Sequence, residues 1–251
     1  MSKEHLLVAT SKEKFNKQAL IFSKRLNIPF LGDLVSVKSQ SRSLKDKYIL
    51  IFSDEGMYLK KGTDNRSGRI FCDFLKWSKQ DSKALLLKTM KGLTRKNSII
   101  DATAGFGKDS LILSSLTERL TLIERTPWVF SLLEEGIGKF TKEIPSLQGV
   151  KLIRADSKKY LNDLNEKPDA IYLDPMFEKV SKSKAKKNLQ ALRELTKPTK
   201  GEELLKISLT KAANRVVVKR HKKSRYLSGL KPTFSLSGRV IRYDVYSVQL
   251  S

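Results

Sequence analysis

The chain has 251 residues, 39% of them hydrophobic, which is enough for a substantial core in one large domain or a small domain joined to a medium one. Its 50 Lys and Arg against 26 Asp and Glu leave a formal net charge of +24, and so large an excess favours a polyanionic partner, of which nucleic acid is the commonest. The lone cysteine, Cys72, excludes an intramolecular disulfide, two histidines without a Cys/His cluster argue against zinc or any other metal centre, and no apolar run reads as a membrane span or a signal peptide, so a cytoplasmic location is expected.

Residues 6–9 read as a first strand, and Thr10 with Glu13 as a capping box for a helix through about Leu26. On that helix Phe15, Ala19, Ile21, Phe22 and Leu26 share a face. Short strand-like runs follow at 34–37, 48–53, 56–60 and 69–74, separated by Asp54-Glu55-Gly56 and a loop at 63–68. Hairpin signals without long helices predict a small N-terminal α+β module over residues 1–75. Residues 81–90 have a helical pattern closed by Gly92. The rhythm then changes over residues 76–251 to strands at 99–100, 120–123, 150–153, 170–173 and 215–219. Helices alternate with them at 109–116, 127–139, 157–164, 185–195 and 202–213, with Thr126 and Pro127 as a start signal for the second. Repeated βα units predict a doubly wound, Rossmann-like α/β sheet, and the pair 233–236 and 240–248 around Ser237-Gly238 adds a terminal antiparallel hairpin.

Four strand ends carry the chemistry. Asp101-Ala102-Thr103-Ala104-Gly105-Phe106-Gly107-Lys108-Asp109 is a strand running through a turn of small residues into a helix, and Gly105 and Gly107 let the backbone approach a ligand. A phosphate-binding P-loop is rejected, because Ala102 stands where a Gly is required and Asp109 follows the Lys in place of Ser or Thr. Glu124, ending the next strand, is placed to accept hydrogen bonds from ribose hydroxyls, although an ion pair with Arg125 would also account for it. Asp156, before Ser157, can reach an adenine amino group and equally reads as a helix N-cap. Asp174-Pro175-Met176-Phe177 then follows a strand directly. The Asp174 carboxylate and Pro175 carbonyl suit the N–H groups of an exocyclic base amine, and Phe177 suits stacking on a base lifted out of its helix. Behind them, Lys179, Lys182, Lys184, Lys186 and Lys187, and later Lys219, Arg220, Lys222, Lys223 and Arg225, form a basic rim for RNA phosphates; a solvated helix face is the competing reading of the first group.

At these residues the chain resembles the class I S-adenosylmethionine-dependent methyltransferases, and more closely the RsmJ family of bacterial 16S rRNA guanine-N2 methyltransferases. The resemblance is carried by the 101–109 turn, by Ile123-Glu124-Arg125-Thr126-Pro127, by Tyr172-Leu173-Asp174-Pro175-Met176-Phe177, by Lys182-Ser183-Lys184 with Lys186-Lys187, and by Arg215-Val216-Val217-Val218-Lys219-Arg220. It implies S-adenosylmethionine as cofactor, with contacts at Lys108, Asp109, Glu124, Arg125, Asp156, Ser157 and Asp174, to which the strand end and glycine turn add Asp101, Gly105 and Gly107 as candidate cofactor contacts. It also implies 16S rRNA or the small ribosomal subunit as partner, Asp174, Pro175 and Phe177 at the reaction, and Lys182, Lys184, Lys186, Lys187, Lys219 and Arg220 on RNA. Lys108 stands where the family usually has Arg, and Trp77-Ser78-Lys79-Gln80-Asp81-Ser82-Lys83 replaces an Arg- and Gly-rich segment. An adenine-N6 or other RNA or DNA amino methyltransferase would use nearly the same Asp-Pro-x-Phe chemistry, and a non-catalytic basic RNA-binding scaffold is the remaining alternative.

Overall fold

The computed structural model describes residues 5–34, 43–62, 68–80, 84–175, 187–196 and 200–248, except the side chains of residues 187–189. The expected strand at 34–37 lies outside them from residue 35 onward, as do most of the 63–68 loop, the start of the 81–90 helix, and Met176, Phe177, Lys179, Lys182, Ser183, Lys184 and Lys186.

The first sheet pairs β1 (Leu6–Thr10) in parallel with β2 (Phe30–Asp33) and β3 (Tyr48–Ser53), and β3 forms a hairpin with β4 (Gly56–Lys61). Helix α1 (Asn16–Leu26) crosses from β1 to β2 and ends on Asn27 in the left-handed region at φ 53°. The capping box does not form. Thr10 is the last residue of β1, fully buried, and its hydroxyl donates to Asn16 Oδ1 at 2.7 Å, while a 3-10 turn at Glu13–Phe15 leads into the helix. Ile21 is 59% exposed, so the buried face of α1 is narrower than its apolar pattern and centres on Ala19, Phe22 and Ser23. The expected strand at 69–74 is reduced to a single bridge between Leu59 and Ile70, because Asp73 accepts the Lys76 N–H at 3.1 Å and starts α2 (Phe74–Ser78).

After α3 (Ala84–Thr89), the second sheet alternates β5 (Ser98–Asp101), α4 (Lys108–Ser114), β6 (Arg119–Ile123), α5 (Pro127–Phe140), β7 (Lys151–Ile153), α6 (Ser157–Asn162) and β8 (Ala170–Leu173). Then come α7 (Lys187–Leu195), α8 (Gly201–Lys211), β9 (Arg215–His221), β10 (Phe234–Ser237) and β11 (Ile241–Ser247). The strand order is β10-β11-β9-β8-β5-β6-β7, with β7, β6, β5, β8 and β9 parallel and β11 and β10 antiparallel. This is the doubly wound sheet with a terminal hairpin that the βα rhythm predicts.

Alternating side chains sort to the two faces of that sheet. Ile99, Tyr172 and Val217 meet α4 and α5 on one side, while Ile100, Ile171, Leu173, Val216 and Val218 meet Leu161 of α6 and Leu204 and Leu205 of α8 on the other. The chain therefore leaves β5 toward β6 and returns at β8 on its other side, which opens a crevice at the carboxyl ends of β5 and β8. The first cluster runs on without a break into Leu6, Leu50, Leu59, Ile70, Cys72 and Phe74, so the two sheets share one core.

Gly136 of α5 lies at the joint between them. A Cβ there would stand 2.5 Å from Cys72 Cβ and 3.2 Å from Phe74 Cε2, and the neighbouring Glu135 Oε1 accepts the Met57 N–H at 2.6 Å. Gly136→Leu overpacks this joint and should destabilise the protein by about 1–3 kcal/mol, read as a lowered urea midpoint. An unchanged midpoint would show that the two sheets do not depend on this contact.

Candidate active site

The crevice is built from residues at four neighbouring strand ends. Below its floor lies Asp101, only 1% exposed, whose Oδ2 accepts the Ser110 hydroxyl at 2.6 Å and whose Oδ1 accepts the Thr103 N–H at 3.0 Å. Its place at the strand end makes it a candidate cofactor contact, but both oxygens are already engaged within the turn, and Asp101 shapes the loop from behind. Burial pushes its carboxyl up to about 7.

Gly105 and Gly107 take positive φ, 54° and 78°. A Cβ on Gly107 would stand 2.6 Å from Leu133 Cδ1 and 3.0 Å from Phe74 Cζ, so that position needs glycine for both conformation and space. From the end of β6, Glu124 reaches back across the turn. Its Oε2 accepts the Gly105 N–H at 3.1 Å and its Oε1 the Thr126 N–H at 2.6 Å, and the Thr126 side chain adds a further hydrogen bond, so three donors engage a carboxylate with four lone-pair positions. Burial raises this carboxyl above the usual range, and the two backbone donors oppose the shift.

Asp156 caps α6, with Oδ1 accepting the Lys158 and Lys159 N–H groups at 3.0 and 3.2 Å, while Oδ2 lies 3.8 Å from Arg125 Nη1. The N-cap reading of Asp156 thus holds, and its other carboxylate oxygen faces Arg125. Ser157 donates its hydroxyl to the Ala102 carbonyl at 2.5 Å and ties the β7 end to the β5 turn. Lys108 donates to Gln80 Oε1 at 2.8 Å, so Gln80 reaches the start of α4.

The β8 end completes the crevice. Asp174 donates its N–H to Thr103 Oγ1 at 2.6 Å, and its Oδ2 accepts Lys219 Nζ at 2.9 Å. The same ammonium donates to Asp109 Oδ2 at 2.6 Å, which also accepts the Tyr172 hydroxyl at 2.6 Å. Lys219 is therefore not a phosphate-gripping rim residue beside Arg220: β9 turns it inward to bridge two carboxylates, with its side chain 20% exposed. Burial pushes Asp174 upward, the Lys219 ammonium pulls it back, and Asp109 adds a smaller upward push. Lys219 itself is held above its usual range by the two carboxylates, against the effect of burial, and so stays cationic. Pro175 is buried at the crevice edge, and Lys187 opens α7. No sequence pattern marks the bonding roles of Thr103, Ser110 and Tyr172; the one signal is a tyrosine hydroxyl inside the otherwise apolar β8.

A family model described as putative SAM-dependent methyltransferase matches residues 35–248. The ribosomal RNA small subunit methyltransferase J of Thioalkalivibrio sulfidiphilus is 30% identical over 261 residues, covering 98% of this chain and 99% of that one. The chain belongs to the methyltransferase J family. A further member from Pseudomonas syringae pv. syringae is 33% identical over 217 residues, 79% of each chain. The fold agrees with the crystal structure of a SAM-dependent methyltransferase from Neisseria gonorrhoeae, at a TM-score of 0.67 and 23% identity over 96% of this chain and 95% of that one.

The cofactor of a methyltransferase J family member is S-adenosylmethionine. The crevice fits such a ligand chemically: the glycines at φ 54° and 78° give it a turn of bare backbone, and Glu124 and Asp156 offer acceptors for hydroxyl and amino groups at successive strand ends.

The raised carboxyl of Asp101 gives a stability signature. The folded state holds its proton more tightly than the unfolded chain does, so the stabilisation is complete below about pH 4 and is lost as pH rises through about 7. Asp101→Asn cannot ionise. Its melting temperature relative to the parent should therefore rise between pH 4 and pH 8, and a difference that stays flat or falls would contradict the assignment.

Proposed function

We propose that this S-adenosylmethionine-dependent rRNA methyltransferase modifies the exocyclic N2 amine of a guanosine in 16S rRNA, as naked RNA or within the small subunit. The observation that carries the reading is Asp174, followed by Pro175, at the carboxyl end of β8 and held between Thr103 and Lys219. The relatives' name, ribosomal RNA small subunit methyltransferase, supports the choice of RNA, and the +24 charge is consistent with it.

An exocyclic amine is a weak nucleophile because its lone pair is delocalised into the ring. Among the described residues, Lys219 binds Asp174 through Oδ2 alone, so Oδ1 is available to accept an amine N–H, with the Pro175 carbonyl as the second acceptor. As positive charge develops on the nitrogen, the fixed carboxylate stabilises it and takes up the released proton or passes it to water. Lys108, Asp109, Glu124, Arg125, Asp156 and Ser157 would hold the cofactor with the backbone at Gly105 and Gly107. When bound, S-adenosylmethionine supplies an electrophilic sulfonium methyl group. Phe177 would stack on the flipped base, and Lys182, Lys184, Lys186, Lys187 and Arg220 would contact RNA phosphates. A cytoplasmic location belongs to the same proposal; among the described residues no helix is long and apolar enough to cross a membrane.

Asp174→Ala should lower radiolabelled methyl transfer to small-subunit rRNA by about 10²–10³-fold while keeping the parent's melting behaviour. Full activity in that variant would overturn the role of Asp174.

Lys219→Met removes the charge that pulls the Asp174 carboxyl down. The acid limb of the pH–rate profile, where Asp174 becomes protonated, should then move to higher pH, while Lys219→Arg keeps it near the parent's position. An unmoved limb in Lys219→Met would show that this ammonium does not control the carboxylate.

A further inference from the structure

Lys219 and Arg220 are neighbours on β9, so their side chains leave opposite faces of the sheet. Lys219 enters the crevice, whereas Arg220 points into a separate cleft of about 880 Å³, lined also by Lys222, Arg225, Tyr226, Glu202 and Arg242. The polypeptide around this cleft is firmly built. Arg242 binds Asp244 through two hydrogen bonds of 2.8 and 3.1 Å and donates Nη1 to the carbonyls of Lys222 and Ser224 at 2.8 and 2.7 Å. Its charge is thus spent on the fully buried Asp244 and on fixing the loop after β9.

That fixation leaves the remaining cations of the loop facing outward. Lys222 and Arg225 are exposed and form no ion pair with a described residue, and Arg220 donates Nη2 to the Arg225 carbonyl at 3.1 Å. Beside the exposed Lys222 and Arg225 the lining offers one carboxylate, Glu202. Tyr226 stands among them with 41% of its surface exposed, and the Arg242 guanidinium lies 5.0 Å from its ring centroid, bracing the aromatic plane. Outward cations around a braced, solvent-facing aromatic ring are the components with which proteins bind single-stranded nucleic acid, phosphates on the charges and a base on the ring.

The cleft also adjoins the reaction site. A Cβ on Gly201 would stand 2.9 Å from Pro175 Cβ and 3.5 Å from Leu227 Cδ1, so the loop carrying Tyr226 and Leu227 packs through a bare glycine against the residue that follows Asp174. The fold thereby sets the cleft one packing layer from the β8 end.

We infer that this cleft seats a nucleotide flanking the target base, with Lys222, Arg225 and Arg220 on its phosphodiester and Tyr226 stacked on its base. The inference rests on the reading of the chain as an rRNA base methyltransferase. It gives the substrate a second anchor, on the opposite face of β9 from Lys219, that holds single-stranded RNA while the neighbouring base is presented to Asp174.

The test is binding of a fluorescein-labelled, single-stranded RNA decamer to the full-length protein, followed by anisotropy across a salt series and kept apart from any methyl-transfer assay. The double variant Lys222→Glu/Arg225→Glu should weaken binding at least about tenfold and flatten the log–log salt slope by about 1.4, the counterion release of two single-strand phosphate contacts. Tyr226→Ala should weaken binding by about tenfold with little change in slope, and Tyr226→Phe should restore it, because stacking needs the ring and not the hydroxyl. Parental affinity and slope in the double variant, or no decamer binding by the parent, would overturn the cleft assignment. Loss of decamer binding in the variants of a protein that methylates no rRNA guanosine would instead uphold the cleft and overturn the proposed reaction.

Discussion

The site depends on one ammonium group shared between two carboxylates. Lys219 projects from β9 to Asp109 in the first turn of α4 and to Asp174 at the end of β8, so a single side chain joins elements from both sides of the point where the sheet reverses its order. Without it, Asp109 and Asp174 would face each other partly desolvated, and their repulsion would raise the Asp174 carboxyl further or drive the two apart. With it, Asp174 is held as an oriented acceptor. Tyr172, bonded to Asp109 from within β8, removes a further degree of freedom from the same cluster.

Around this cluster the fold spends polar groups on holding the glycine turn still. Asp101 grips Thr103 and Ser110 from beneath, Glu124 binds Gly105 from the β6 end, and Ser157 binds Ala102 from the β7 end. Three strands and two helices thus constrain one loop of small residues, which cannot be stiffened by packing its own side chains. Rigid placement of this kind is what a transfer reaction requires, since its rate depends on position and on prearranged acceptors. The buried carboxyls of Asp101 and Glu124 tie that placement to pH-dependent stability.

Much of this was legible in the sequence, and for physical reasons. Apolar runs such as Ala170–Leu173 and the βα rhythm after Gly92 are dictated by a parallel sheet covered on both faces, so the doubly wound sheet and the terminal hairpin followed from pattern, while the order of its strands did not. Residues at strand ends were found because the turn must be built of glycine and small residues. What pattern does not encode is direction. Lys219 and Arg220 read alike as cations near the β8 loop, yet the two-residue period of β9 sends one into the crevice and the other into the Tyr226 cleft. Thr10 and Glu13 had the spacing of a capping box, but the buried end of β1 claimed Thr10 first. Asp101 read as a ligand contact because its place at the strand end was visible and the engagement of both its oxygens was not.

The account turns on which atom receives the methyl group. Small-subunit rRNA should be taken from a strain lacking this protein and from the same strain carrying the wild-type chain or Asp174→Ala, digested to nucleosides and analysed by mass spectrometry. The account predicts that N2-methylguanosine is reduced in the deletion strain, restored by the wild-type chain and not restored by Asp174→Ala. An unchanged N2-methylguanosine level across all three, or restoration of a methylated adenosine in its place, would contradict it.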